Sequence, residues 1–289
     1  MIREFFQPDT LIKALQLRRD YEGSSLLAGG TDLVVALHND KGPEGSVIDL
    51  SKVHELKGIE AAGGRIRIGA MTSFTEISDS EILRNAAKML CNAAATIGSP
   101  QIRNRGTIGG NICNASAAAD SLTPLLCLDA EMELQSLAAD GTVDIRILAL
   151  EDFILDSKKI ALKGSEILTS IILKHPAADI RSSFKKIGRR NALAIARING
   201  CCVFRLHNNI AESVKFALGA STSKPERIRA VEEFLTGREL TADLLNKAGK
   251  LAAEYVFTQT GTRSSSAYKL PVIEKFTVSL IKEALGKEE

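Results

Sequence analysis

One stretch of the chain, residues 96–111, carries Gly98, Pro100, Gly106, Gly109 and Gly110 between two regions of regular apolar spacing. Glycine and proline at this density exclude a long helix or strand, so a long irregular loop is expected inside an otherwise regular domain. Loops of that kind tend to carry function. A second paired-glycine segment, Ala28-Gly29-Gly30-Thr31-Asp32-Leu33, follows a short apolar run. With Arg105-Gly106-Thr107-Ile108-Gly109-Gly110-Asn111 it makes two such loops. Paired glycines permit positive φ and close approach to the backbone, so successive N–H groups can converge on an anion such as a pyrophosphate. Each loop read singly is equally a tight turn; two of them, each flanked by Thr and by Asp or Asn, favour the ligand. Neither is a G-x-G-x-x-G opening a helix after a strand or a G-x-x-x-x-G-K-[ST], so the Rossmann and P-loop motifs are absent.

Around these loops the patterning predicts an α+β chain of two domains, at 1–176 and 180–289. A helix from Leu11 is capped by Asp9 or Thr10, with Ala14, Leu15 and Leu17-Arg18 at helical spacing. Ser25-Leu26-Leu27-Ala28 predicts a strand, and Leu33 to His38 a further apolar element. Ser46 to Leu50 and Arg65 to Ala70 alternate with the period of strands. Ile77, Ile82, Leu83, Ala86, Ala87, Leu90, Ala93 and Ala94 restore helical spacing across 75–95. Ala130 to Gln135 and Val143 to Ile147 flank a hairpin signal, Ala139-Asp140-Gly141-Thr142. The first domain is expected to end near Pro176. Beyond it, Ala192 to Arg205 and Ser213 to Gly219 look extended, while Pro225 to Leu235, Thr241 to Ala253 and Pro271 to Leu285 look helical.

Composition narrows the function. Of 289 residues, 45% are hydrophobic and 25% charged, enough for one large core or two ordinary ones. Lys and Arg number 37 and Asp and Glu 35, a net +2 that gives no bulk electrostatic drive toward nucleic acid or an anionic membrane. Apolar runs such as Ile147-Leu148-Ala149-Leu150 fall far short of the roughly 20 residues that span a bilayer. Glu4, Pro8 and Asp9 stand where a signal peptide needs an unbroken hydrophobic run, so a cytoplasmic location is expected. Cys91, Cys113, Cys127, Cys201 and Cys202 include no C-x-x-C pair and read as reduced thiols. His38, His54, His175 and His207 are scattered, and Ser221, Ser223 and Ser264-Ser265-Ser266 lack a nucleophile elbow. No metal site, no catalytic nucleophile and no general base are expected.

Four blocks carry a resemblance: Leu27 to Leu33; Pro100-Gln101-Ile102-Arg103-Asn104 running into Thr107-Ile108-Gly109-Gly110-Asn111-Ile112-Cys113-Asn114; Ala119-Asp120-Ser121 with Pro124-Leu125-Leu126; and Phe184-Lys185-Lys186 with Arg189-Arg190. Phe216-Ala217-Leu218-Gly219-Ala220 with Pro225, and Arg263-Ser264-Ser265-Ser266-Ala267-Tyr268-Lys269, extend it to the C-terminal region. The sequence resembles the FAD-binding medium subunits of the xanthine dehydrogenase family of molybdenum hydroxylases. Within that family it looks most like the xanthine dehydrogenase branch. The 4-hydroxybenzoyl-CoA reductase branch has a cysteine-rich insertion that is missing here.

The resemblance implies a two-lobed PCMH-type FAD-binding domain followed by a smaller α+β domain of the CO dehydrogenase flavoprotein C-terminal type. It implies non-covalent FAD, because Thr31 stands where covalent members of the wider fold place a histidine. Leu27, Ala28, Gly29, Gly30, Thr31, Asp32, Leu33 and Val34 would wrap the pyrophosphate and adenosine side. Thr107, Ile108, Gly109, Gly110 and Asn111 would meet the pyrophosphate and ribityl chain. Asp120 would hydrogen-bond a ribose or ribityl hydroxyl, or else cap a helix before Leu122. Ile97 and Gly98 fall where the family packs the isoalloxazine ring, with core packing as the alternative. Leu168 and Lys185 would edge the flavin, and Lys185 or Lys186 could favour its anionic reduced form unless both are surface lysines. Arg189-Arg190 would lie in a polar loop able to gate nicotinamide access, or in a merely solvated one.

The resemblance also implies partners. A small subunit would hold [2Fe-2S] clusters, a large subunit the molybdopterin, and FAD would pass electrons on to NAD+. A stand-alone flavin oxidoreductase of the same fold, or the flavin subunit of a nicotinate, aldehyde or carbon monoxide dehydrogenase, is the alternative activity, and a scaffold that has lost its flavin is a third.

Overall fold

A computed structural model describes residues 2–39, 42, 44–175, 179–190 and 193–286. The expected boundary at Pro176 and the expected strand start at Ala192 lie outside the described residues. Elements are numbered in chain order. The chain opens with β1 (Ile2–Phe6), α1 (Leu11–Asp20), β2 (Ser25–Leu27), α2 (Leu33–His38), β3 (Gly45–Asp49), β4 (Ile59–Ala62) and β5 (Arg65–Gly69). Six short helices follow: α3 (Phe74–Asp79), α4 (Glu81–Ala86), α5 (Lys88–Ala95), α6 (Pro100–Arg105), α7 (Ile108–Asn114) and α8 (Leu122–Cys127). Next come β6 (Glu131–Leu137), β7 (Val143–Ala149), α9 (Leu150–Phe153), β8 (Ile154–Asp156), β9 (Lys159–Ile160) and β10 (Ile167–Lys174). The remainder is β11 (Ile180–Gly188), β12 (Ala196–His207), β13 (Ile210–Gly219), β14 (Glu226–Arg227), α10 (Arg229–Leu235), α11 (Ala242–Thr260) and α12 (Ser266–Ala284).

Packing divides the chain into two units, and not by a single cut. The first unit comprises Met1–Ile82, Ile97–Ala115 and Asp129–His175; the second comprises Leu83–Thr96, Ser116–Leu128 and Pro176–Glu289. Two early segments, Leu83–Thr96 and Ser116–Leu128, therefore pack with the C-terminal residues although they lie within the stretch 1–176 expected as one domain. In the first unit β1, β3 and β2 form a parallel three-stranded sheet, and β4-β5-β10-β6-β7 an antiparallel five-stranded one. Ala14 and Leu15 of α1 pack with Ile48, Leu50, Val53, Leu56, Met71, Leu137 and Ile167. In the second unit β11-β12-β13-β14 is an antiparallel sheet against which α10, α11 and α12 bury Val231, Leu245, Val256, Phe276 and Leu280.

Two expectations need correction. Residues 75–95 are not one helix, because α3, α4 and α5 are separate, with Ser73 closing a capping box on α3 and Ala87 off helical geometry ahead of α5. Residues 96–111 are not an irregular loop either. Ser99 and Thr107 cap two short helices, Pro100 sits in the first turn of α6, and the glycines of α7 are helical. Smaller differences lie further on: Glu226–Arg227 adds a strand ahead of α10, and α12 starts at Ser266, five residues before Pro271.

Candidate functional site

The first unit holds a cavity of about 640 Å³ bounded by α1, β2, the Gly29–Gly30 turn and the starts of α6 and α7. That volume is in the range of cofactor sites. Of the residues expected from sequence, Ala28, Gly29, Gly30, Thr31, Asp32, Leu33, Ile97, Thr107, Gly109, Gly110, Asn111 and Leu168 line it. Leu27, Val34, Gly98 and Ile108 do not.

The two glycine loops differ in what they offer. Among the described residues, the amides of Gly29, Gly30, Thr31, Asp32 and Leu33 have no hydrogen-bond acceptor. Gly30 holds φ at +78, the left-handed conformation that turns successive amides toward one side. A Cβ on Gly29 would run into the carbonyl of Arg105, so only glycine lets these two backbone segments approach. This run leaves five backbone donors unengaged among the residues that line the cavity.

The second loop does not. Ile108 and Gly109 donate to the carbonyls of Thr72 and Ala70 at 3.0 and 2.8 Å, Gly110 to Thr107 Oγ1 at 3.1 Å, and Asn111 to the Thr107 carbonyl at 3.0 Å. The amides of Ile108, Gly109, Gly110 and Asn111 are thus already bonded, and neither Gly109 nor Gly110 has positive φ. Their small size serves packing. A Cβ on Gly109 would lie 2.7 Å from that of Ala70, and one on Gly110 would lie 2.9 Å from Thr107 Oγ1 and 3.5 Å from Ala28.

Side chains pin the two loops together. Asn114 Nδ2 donates to Asp32 Oδ1 at 3.0 Å, and Lys158 Nζ donates to Asn114 Oδ1 at 2.6 Å. The Arg103 guanidinium holds the carbonyls of Ile97 and Gly98, each at 3.2 Å. Sequence reasoning quoted Cys113 and Asn114 without assigning them a role, and overlooked Arg18, Met71 and Phe74 on the cavity wall. Arg18 left a signal, a charge inside the apolar stripe of α1. Burial pushes the Cys113 thiol up to about 12, with Arg18 opposing, which disfavours the thiolate.

Asp120 and Lys185 belong to the second unit. Asp120 is buried, and its carboxylate accepts from Lys186 Nζ at 2.5 Å and Asn199 Nδ2 at 2.8 Å. It does not cap α8, whose N-cap position is Ser121. Burial holds this carboxyl above its ordinary range although the ammonium opposes it. Lys185 Nζ donates to Ser279 Oγ at 2.6 Å and pairs with Glu283 at 3.1 Å. Arg190 holds the carbonyl of Leu193. Among the described residues no group of three or more His, Cys, Asp or Glu could hold a metal ion, and no helix is long and apolar enough to cross a membrane.

Comparison with known proteins gives the family. A family model described as the FAD binding domain in molybdopterin dehydrogenase matches residues 1–176. The chain belongs to the FAD-binding medium subunits of the xanthine dehydrogenase family. A second model, the CO dehydrogenase flavoprotein C-terminal domain, matches residues 182–284. The xanthine dehydrogenase FAD-binding subunit of Escherichia coli O157:H7 is 32% identical over 279 residues, covering 96% of this chain and 94% of that one. The nicotinate dehydrogenase FAD-subunit of Eubacterium barkeri is also 32% identical, covering 99% and 97%. A carbon monoxide dehydrogenase from Hydrogenophaga pseudoflava shares the fold with a TM-score of 0.89 at 24% identity, covering 99% of this chain and 98% of that one. The chain is thus an oxidoreductase component whose cofactor is FAD. The residues of the first unit fit that cofactor: a free amide run for its pyrophosphate and apolar walls for its rings.

Proposed function

We propose that this chain is the electron-relaying subunit of a xanthine-dehydrogenase-like complex, standing between a small [2Fe-2S] subunit and NAD+, with the molybdopterin on a large third subunit. FAD, once bound, supplies the chemistry that joins one-electron and hydride transfer. The protein's own residues bind and orient it. The observation that carries the reading is the run of five unengaged amides from Gly29 to Leu33 opening on the cavity. In an enclosed site such a run neutralises a pyrophosphate without lysine. The second loop contributes shape: Thr107, Gly109, Gly110 and Asn111 form the opposite wall, with Ile108, Leu27 and Val34 behind the walls. Ile97, held with Gly98 by Arg103, is proposed to flank the isoalloxazine ring, and Leu168 to pack on the cofactor. Asp120 and Lys185 enter this reading through the family resemblance alone, because their charged atoms are already engaged within the second unit.

In sequence terms the proposal keeps 1–176 as the FAD-binding segment and 180–289 as the closing one, in a cytoplasmic complex. Equal identity to xanthine and nicotinate dehydrogenase subunits leaves the oxidised substrate to the large partner. Purification with co-expressed partners tests the assignment. A yellow chain that releases all its FAD on acid precipitation, and whose flavin NADH bleaches anaerobically, is the expected result. Colour retained on the precipitate would refute non-covalent binding, an unbleached flavin would refute NAD+ as acceptor, and purine turnover by the chain alone would refute the subunit role.

A further inference from the structure

The most buried charge on the cavity wall has no counter-charge. Arg18 is 8% exposed and sits on α1 where Ala14 and Leu15 set an apolar face. Its Nε donates to the Glu166 carbonyl at 3.4 Å, and its Nη1 to the Ser24 carbonyl and to Ser24 Oγ, the latter at 3.2 Å. The Glu166 carboxylate is committed elsewhere: Arg146 grips it at 2.8 and 2.6 Å and the Lys163 amide at 2.8 Å. Among the described residues Nη2 of Arg18 has no acceptor and the guanidinium no carboxylate. Burial pushes its pKa down, yet a guanidinium does not shed its proton. An uncompensated buried cation is costly unless something else supplies acceptors.

The position of Arg18 limits what that can be. It is the one Lys or Arg among the described residues that line the cavity, whose lining includes the buried apolar residues Leu50, Met71, Ile167 and Leu168. Its bonds anchor it at Ser24, ahead of β2, whereas the amide run begins at Gly29, beyond the end of β2. The three extended residues of β2 alone span about 10 Å, which sets the anchor of Arg18 apart from the amides that would seat a pyrophosphate. The slot therefore suits a flat heterocycle with acceptors on its rim. Ile102, also on the cavity wall, is 38% exposed, which suits a ring that must exchange electrons with partners.

We infer that Arg18 is a specificity-determining residue of this FAD site, donating from Nη2 to a ring nitrogen of the adenine in the slot of Leu50, Met71, Ile167 and Leu168. The inference rests on the reading of the cavity as the FAD site. FMN lacks the adenine and provides the control. Apoprotein of the full chain is titrated with FAD and with FMN, following flavin fluorescence, for the wild type, Arg18→Gln and Arg18→Lys. Arg18→Gln is expected to raise the Kd for FAD roughly 10- to 100-fold while shifting that for FMN within about threefold. Arg18→Lys should recover part of the loss. Equal weakening of both flavins, or an unchanged FAD affinity, overturns the inference while leaving the site assignment intact. Should Arg18→Gln not fold by thermal melting, the FAD-to-FMN ratio in Arg18→Lys decides in its place. A wild-type chain that binds neither flavin overturns the site assignment itself.

Discussion

At the scale of single residues, the glycines separate conformation from space. Gly30 needs its positive φ, so Gly30→Val strains the backbone by about 1–3 kcal/mol before any ligand is considered. Gly29 and Gly110 need room instead. Gly110→Val brings a branched side chain against Thr107 Oγ1 and Ala28, on the wall that faces the amide run. We expect the purified variant to lose bound FAD, read as the ratio of flavin to protein absorbance. The second-unit core around Phe216 and Phe276 should keep its melting transition. Full flavin content would show that this wall does not touch the cofactor. The sequence exposed all these glycines, but not which of them serve φ and which serve packing. Ala70, which Gly109 meets, lies far from it along the chain.

At the scale of elements, caps and one half-buried ion pair carry the predictions. Thr107 starts α7 by accepting from the Gly110 amide. Thr107→Ala should cost about 1 kcal/mol in urea unfolding, and Thr107→Ser should restore most of it. A cost near zero would mean that the tertiary bonds of Ile108 and Gly109 hold the helix start unaided. The Arg146–Glu166 pair ties β7 to the turn before β10. Burial alone would raise the Glu166 carboxyl, but the hydrogen bonds from Arg146 and Lys163 outweigh it and hold it below its usual 4.5. A carboxyl depressed in the folded state contributes stability that is present above pH 4.5 and lost as pH falls through the folded pKa. Arg146→Met should therefore lower the urea midpoint at pH 7 and narrow its gap to wild type on acidification below pH 4. A gap that stays constant across that range would rule out this linkage. The short helices inside 96–111 were hidden because glycine and proline signal a break, while the caps at Ser99 and Thr107 and the acceptors at Thr72 and Ala70 restore helix locally.

At the scale of the whole molecule, the two units interleave along the chain. α5 and α8 precede the last strands of the first unit in sequence, yet they pack on β11 and on β12 and β13 of the second. Leu90, Leu125 and Leu126 are buried there. A fragment ending at residue 176 would keep α5 and α8 but lose the strands that cover them. It should run as aggregate in size-exclusion chromatography or bind a hydrophobic dye, whereas the full chain should not. A monomeric, cooperatively melting fragment would show that the first segment folds without the second. The sequence by itself determined the alternating strands, a cap at Asp9 or Thr10 ahead of α1, and the two glycine loops with the family they resemble, because these follow from periodicity, from capping chemistry and from what glycine alone permits. Only the tertiary structure decided which amides remain free for a ligand. It also decided that Asp120 faces Lys186 and Asn199, and that Arg18 stands uncompensated in the cavity. Those outcomes depend on acceptors and counter-charges supplied by distant segments, and local sequence does not say which of them will arrive.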